Sequence, residues 1–143
     1  MERCIFCDIA AKQAPASWVY DDDRVFAIMD IVQPNPYKVL IIPKAHRKDL
    51  YALTPEEASA VFQAAVKLGR TIKRVSGCDG LNLLQSNGPS AGQTVFHFHL
   101  HLFPRFSGDG IQFHWNHHAP PKEKLDEMAE GLKAALDCGC QNA

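Results

Sequence analysis

The chain has 143 residues, 46% of them hydrophobic and 22% charged, and 15 Lys and Arg against 16 Asp and Glu leave a net charge of −1. A chain of this length is one domain with at most a short appendage, and it buries roughly 68–70% of its unfolded surface, enough for a core without disulfide staples. The composition excludes disorder and coiled coil, and the charge balance excludes a field that holds nucleic acid by counterion release.

The N-terminal residues carry no basic-then-apolar leader, and no apolar run approaches the roughly 20 residues that span a bilayer. The expectation is a cytoplasmic protein with no membrane partner. The five cysteines are Cys4, Cys7, Cys78, Cys138 and Cys140. An odd count without a secretion signal argues against a disulfide framework. Cys4-x-x-Cys7 reads either as half a zinc site or as two small buried residues. Cys78 reads as structural, and Cys138 and Cys140 are given no role.

Trp18–Tyr20, Val25–Ile31 and Lys38–Pro43 read as strands, rich in β-branched and aromatic residues between turn signals. They suit an antiparallel meander. Thr54-Pro55-Glu56-Glu57 is a capping box that opens a long helix. Its apolar stripe runs through Ala58, Val61, Phe62, Ala65, Leu68, Ile72 and Val75, and Gly77 stops it. Lys67, Arg70, Lys73 and Arg74 are its solvated face. Leu81–Gln85 is a further strand, Ser86–Gly92 a small-residue loop, and Val95–Leu102 a strand of strict alternation. A second helix runs from about Lys122 to Asp137, with Leu125, Met128, Leu132 and Leu136 on one face. Strands, helix, strands, helix is an α+β order with a largely antiparallel sheet.

Seven histidines stand out in a near-neutral chain, three of them at alternate positions, His97, His99 and His101. On a strand they share one face, while Phe96, Phe98, Leu100 and Leu102 share the other. Three imidazoles in a row are a poor choice for packing, because each buried ring nitrogen needs a partner. A solvated face, a metal site and a nucleophilic histidine with helpers all remain open on this pattern alone. The preceding loop, Asn87–Thr94, favours phosphoryl chemistry. Its glycines let backbone N–H groups approach an anion, and Gln93 and Thr94 add side-chain donors. A plain turn at Asn87-Gly88 is the competing reading.

His97-Phe98-His99-Leu100-His101-Leu102-Phe103 resembles the signature of the histidine triad superfamily. The resemblance runs from Cys4 to about Trp115, roughly four-fifths of the chain. It takes in Ile5-Phe6, Asp30-Ile31, Pro43-Lys44-Ala45-His46, Gln93-Thr94-Val95 and Pro104-Arg105, and it is nearest the bacterial Hit-type proteins, beside the Hint and fragile histidine triad branches. It implies a histidine triad domain over residues 1–115, a helical C-terminal extension over 116–143, and a homodimer whose sheet continues across the interface. Phe113-His114-Trp115 is then a segment to reach the partner's site, or plain surface. It also implies an enzyme, a hydrolase or transferase that cleaves a nucleoside 5′-phosphate, with a purine base, from its leaving group. The covalent intermediate forms on His99, with His101 and His97 as the other catalytic positions. Asp30, Ile5, Phe6, Ile9, Ile28, Ser86, Asn87, Gln93 and Thr94 are implied as nucleotide-binding. Ser86 departs from the pattern, since Hint-like relatives carry asparagine there and fragile triad hydrolases glutamine, so the leaving group stays open among phosphoramidate, acyl adenylate and dinucleoside polyphosphate. Some Hit-type members hold a structural zinc, which here implies Cys4, Cys7, His46 and His97 as ligands and no organic cofactor. A nucleotide-binding scaffold with incidental hydrolysis is the alternative.

Overall fold

Two five-residue runs set the frame. Val25–Met29 (β2) and Val39–Pro43 (β3) are apolar throughout and almost wholly buried, as strands covered on both faces must be. They pair antiparallel, Val25 opposite Pro43 and Met29 opposite Val39. Their side chains alternate between two cores. Val25, Ala27, Val39 and Ile41 face one, and Phe26, Ile28, Leu40 and Ile42 face the other. The computed structural model describes residues 4–138.

Trp18–Asp21 (β1), Gly80–Leu84 (β4) and Leu100–Arg105 (β5) complete a five-stranded sheet of order β1-β2-β3-β5-β4, antiparallel at every pair. Pro55–Ser76 (α2) covers the first face through Val61, Ala64, Ala65, Leu68 and Ile72. The Thr54 hydroxyl accepts the Glu57 N–H while Glu57 accepts the Thr54 N–H, so both halves of the capping box form. Gly77 ends the helix at φ 68°, in the left-handed region glycine adopts without strain. Two residues of the expected stripe lie outside the core. Phe62 and Val75 are exposed: Phe62 sits about 100° round the helix from Val61, and Val75 falls in the last turn.

The second face is covered by Ile5–Ala10 (α1), whose Phe6 and Ile9 join that core. No period in the sequence marks this helix, because six residues are too few to display one. The histidine segment also differs from expectation. Regular strand begins at Leu100 and continues to Arg105, and Val95–His99 precedes it as irregular chain. This lead-in is held by other partners, such as the Phe98 N–H on the Arg47 carbonyl at 2.6 Å. Side-chain alternation nevertheless survives. Phe98, Leu100 and Leu102 lie in the α2 core, but Phe96 is exposed and does not join them.

The chain divides into two compact units, Met1–Asp109 and Gly110–Ala143. Within the second, Lys122–Asp137 (α3) is a helix with the expected bounds, and Leu125, Met128, Leu132 and Leu136 on it are exposed. Cys78 is buried and Cys138 exposed; Cys140 lies outside the described residues. No helix among the described residues is long and apolar enough to cross a membrane.

Candidate active site and metal cluster

The α1 side of β5 and its lead-in carries the three histidines. His101 stands opposite Leu40 in the ladder, which puts it on the Phe6 side. The His99 ring lies 4.9 Å from that of His101 and 5.2 Å from Phe6, edge to face in each case. His99 Nδ1–H donates to the His97 carbonyl at 2.8 Å. A neutral imidazole has one N–H, so this bond leaves the Nε2 lone pair free. Burial pushes the pKa of His99 down, against the opposing pull of that carbonyl. His101 is pushed down to about 4, first by burial and then by His99 and Lys38. Both rings are therefore neutral at pH 7, the form in which imidazole acts as a nucleophile.

Asp30, at the end of β2, borders this row. Burial opposes its charge, but Lys38 and the Val32 N–H outweigh that cost and hold its carboxyl below the ordinary range. Lys38 Nζ is 2.7 Å from Oδ2 and His101 Nδ1 is 3.5 Å from the same oxygen. Nothing in the sequence marked Lys38, which reads as the polar end of a strand.

The other expected nucleotide contacts fall into three groups. Phe6, Ile9 and Ile28 are packed together in the second core, while Ile5 is exposed. Gln93 is buried, and its amide is committed to the loop: Oε1 accepts the Gly88 N–H at 2.7 Å, and Nε2 donates to the Lys48 and Val95 carbonyls at 2.7 and 3.2 Å. Asn87 likewise accepts the Leu50 N–H at 2.7 Å and exchanges bonds with the Gln85 amide. These two side chains tie the loop before the triad to the segment after β3. Thr94 is exposed, and the Ser86 carbonyl accepts from Gln85 Nε2.

Behind the triad, Cys4, Cys7, His46 and His97 converge with all four ligand atoms within 4.8 Å of one another. His97 Nδ1 is 3.4 Å from the Cys4 sulfur and 3.6 Å from that of Cys7, and His46 Nδ1 is 3.3 Å from Cys7. A tetrahedron with metal–sulfur bonds of about 2.3 Å and metal–nitrogen bonds of about 2.0 Å has sulfur–nitrogen edges of about 3.5 Å, so the spacing fits an ion. The tautomer fits as well. His97 is fully buried and its Nε2–H donates to the Pro43 carbonyl at 2.8 Å, which turns the Nδ1 lone pair toward the sulfurs. Burial and the adjacent Cys4 push the Cys7 thiol up to about 11, and a cation would reverse this by binding the thiolate.

The segment that carries the triad matches a known domain. The family model described as HIT domain matches residues 11–108. The chain belongs to the HIT family. Protein hit of Bacillus subtilis (strain 168) is 44% identical over 138 residues, 94% of this HIT chain and 95% of its own. Adenylylsulfatase HINT3 of Arabidopsis thaliana is 35% identical over 135 residues, 93% of this chain and 67% of its own. The crystal structure of a HIT family protein from Bacillus anthracis superposes with a TM-score of 0.89 at 42% identity, covering 94% of this chain and 97% of that one. A zinc-bound histidine triad family protein from Mycobacterium smegmatis superposes at 0.73 with 33% identity, covering 95% and 96%. The α+β architecture read from the sequence is thus the HIT fold.

Proposed function

We propose that this HIT protein is a nucleotide hydrolase or transferase that works through a covalent nucleotidyl-histidine at His99. The observation that carries the reading is the hydrogen bond from His99 Nδ1 to the His97 carbonyl, which fixes the ring and frees Nε2. The Nε2 lone pair attacks the α-phosphorus of a nucleoside 5′-phosphate conjugate. A nitrogen–phosphorus bond forms, and the bond from phosphorus to the leaving group breaks and takes its electron pair with it. Water then attacks the same phosphorus, breaks the nitrogen–phosphorus bond and releases the nucleoside monophosphate. His101 hydrogen-bonds a phosphate oxygen, Asp30 accepts from the ribose hydroxyls, and Phe6 and Ile28 border the purine. The similarity to an adenylylsulfatase supports an adenylyl conjugate as substrate.

Cys4, Cys7, His46 and His97 would hold a zinc ion in this reading. Two thiolates and two imidazoles fill a tetrahedron, so the ion's contribution is structural, fastening α1 to the sheet. The zinc-bound mycobacterial relative supports it.

Adenosine phosphoramidate is the substrate with which to begin. The parent enzyme should release adenosine monophosphate, and His99→Ala should lose on the order of 10³-fold or more of kcat. Intact mass spectrometry of rapidly quenched parent should show an adenylyl adduct that His99→Ala lacks. Undiminished turnover in His99→Ala would sink the mechanism. A parent that binds nucleotide but turns over no phosphoramidate, acyl adenylate or dinucleoside polyphosphate would establish the scaffold alternative.

A further inference from the structure

Asp30 has two claimants for one oxygen. Lys38 Nζ lies 2.7 Å from Oδ2, and His101 Nδ1 approaches that atom to only 3.5 Å. The other oxygen, Oδ1, accepts the Val32 N–H at 2.9 Å. His101 Nδ1 is buried and makes no hydrogen bond, a state that calls for an explanation in a native site. Lys38 is no surface lysine passing near an acid. Its side chain is 13% exposed, and its ammonium also sits 5.4 Å from the centre of the Phe103 ring. A desolvated ammonium needs such partners, which fix it in place.

The protonation of a neutral imidazole makes this arrangement consequential. The ring carries one proton. If Asp30 accepted it from Nδ1, the neutral ring would present a bare lone pair at Nε2 and could not donate to phosphate. With the ammonium on Oδ2, the acid is satisfied and the proton can reside on Nε2. We propose that Lys38 is a positioning residue of the active site, which denies the Asp30 oxygen to His101 and so keeps the carboxylate for the substrate ribose and His101 as a neutral donor toward phosphate. This rests on the roles given to Asp30 and His101 above. The titratable and charged groups that act on His101 are His99 beside it, Lys38 before β3 and Asp30 after β2; His99 and Lys38 oppose its protonation, and Asp30 favours it.

The test is an NMR titration of the His101 ring in isotope-labelled parent, Lys38→Gln, Lys38→Met and Lys38→Arg, with the double variant Lys38→Gln/Asp30→Asn. The His101 midpoint should rise by about 1–2 pH units in the Gln and Met variants, as an unshielded carboxylate at that distance dictates. It should stay at the parental value in Lys38→Arg and return to it in the double variant. An unmoved midpoint in Lys38→Gln overturns the proposal. Should Lys38→Met not fold, Lys38→Gln retains a polar head on a side chain one atom shorter. Steady-state kinetics give the second readout. KM for adenosine phosphoramidate should rise about tenfold in Lys38→Gln, more than kcat falls, and the penalty should vanish with the 2′,3′-dideoxy analogue. An equal penalty on both substrates overturns the ribose half. Undiminished turnover in His99→Ala would instead overturn the catalytic reading, and the ring titration would stand apart from that result.

Discussion

His101 makes the HIT protein sensitive to acid. Its pKa is about 4 in the folded chain against an ordinary 6.5, so the unfolded state binds the proton more tightly. A base with a depressed folded pKa contributes stability that is whole above 6.5 and is lost as pH falls from 6.5 toward 4. The shift corresponds to about 3 kcal/mol across that window. Urea unfolding at pH 7 and pH 5 should show the loss, and His101→Gln should flatten the dependence; an equally steep profile in the variant would refute it. The metal cluster gives a second prediction at this scale. Protein purified without chelator should carry about one zinc per chain by elemental analysis, and Cys7→Ser should carry none. Chelation should remove about 2–3 kcal/mol of the parent's stability for an ion held at 100 times its Kd, seen as a lower Tm, and leave Cys7→Ser unchanged. At the residue scale the sequence was legible where chemistry repeats at a fixed interval. The triad's common face is such a case, and Cys4-x-x-Cys7 announced half of a cluster that closes only across the fold. Lys38 was illegible for the opposite reason: its role depends on a contact across strands that no spacing encodes.

The elements read most clearly where punctuation and period agree. Both ends of α2 were visible because the capping box and Gly77 act locally, through hydrogen bonds within four residues. Thr54→Ala should therefore destabilise the protein by about 1 kcal/mol with little effect on KM, as urea unfolding beside steady-state kinetics will show. A loss near zero would mean that the Arg47–Glu57 pair, 2.8 Å apart, holds the helix start without the cap. The start of β5 was not legible. The alternation of His97, His99 and His101 has the strand period, but period sets side-chain direction and leaves ladder bonding to the neighbours. The ladder begins at Leu100 on the β3 side and at His101 on the β4 side, and the residues before it are anchored instead through the Gln93 amide on the Val95 carbonyl and the Phe98 N–H on the Arg47 carbonyl. The consequence is functional. The nucleophile stands just before the regular strand, where its Nδ1–H can bond the carbonyl two residues back.

The whole sheet has two edges, and the chain treats them differently. β1 is blunted. It carries an irregularity between Trp18 and Tyr20, and Asp21 beside it pairs with Lys12 and Lys44 at 3.2 and 2.7 Å. Bulges and charges of this kind discourage pairing with another chain. β4 has neither. It runs in unbroken register from Gly80 to Leu84 without a charged residue, and Leu83 is exposed. Phe62 and Val66 of α2, left out of the core, are 54% and 53% exposed. An uncharged edge with exposed apolar side chains marks an interface, and a twofold axis sets the same edge against itself. The expected assembly is a homodimer joined through β4, with the sheet continuing from one protomer into its partner. Light scattering on the eluting peak should give about twice the 15.9 kDa chain mass. Leu83→Lys should return the mass to that of one chain, because it puts like charges on both edges at the axis. Phe62→Glu should weaken the dimer and make its mass depend on concentration. Val19→Lys, on the blunted edge, should leave the dimer intact. A parent that scatters as a single chain at micromolar concentration, or a dimer broken by Val19→Lys but not by Leu83→Lys, would place the interface elsewhere.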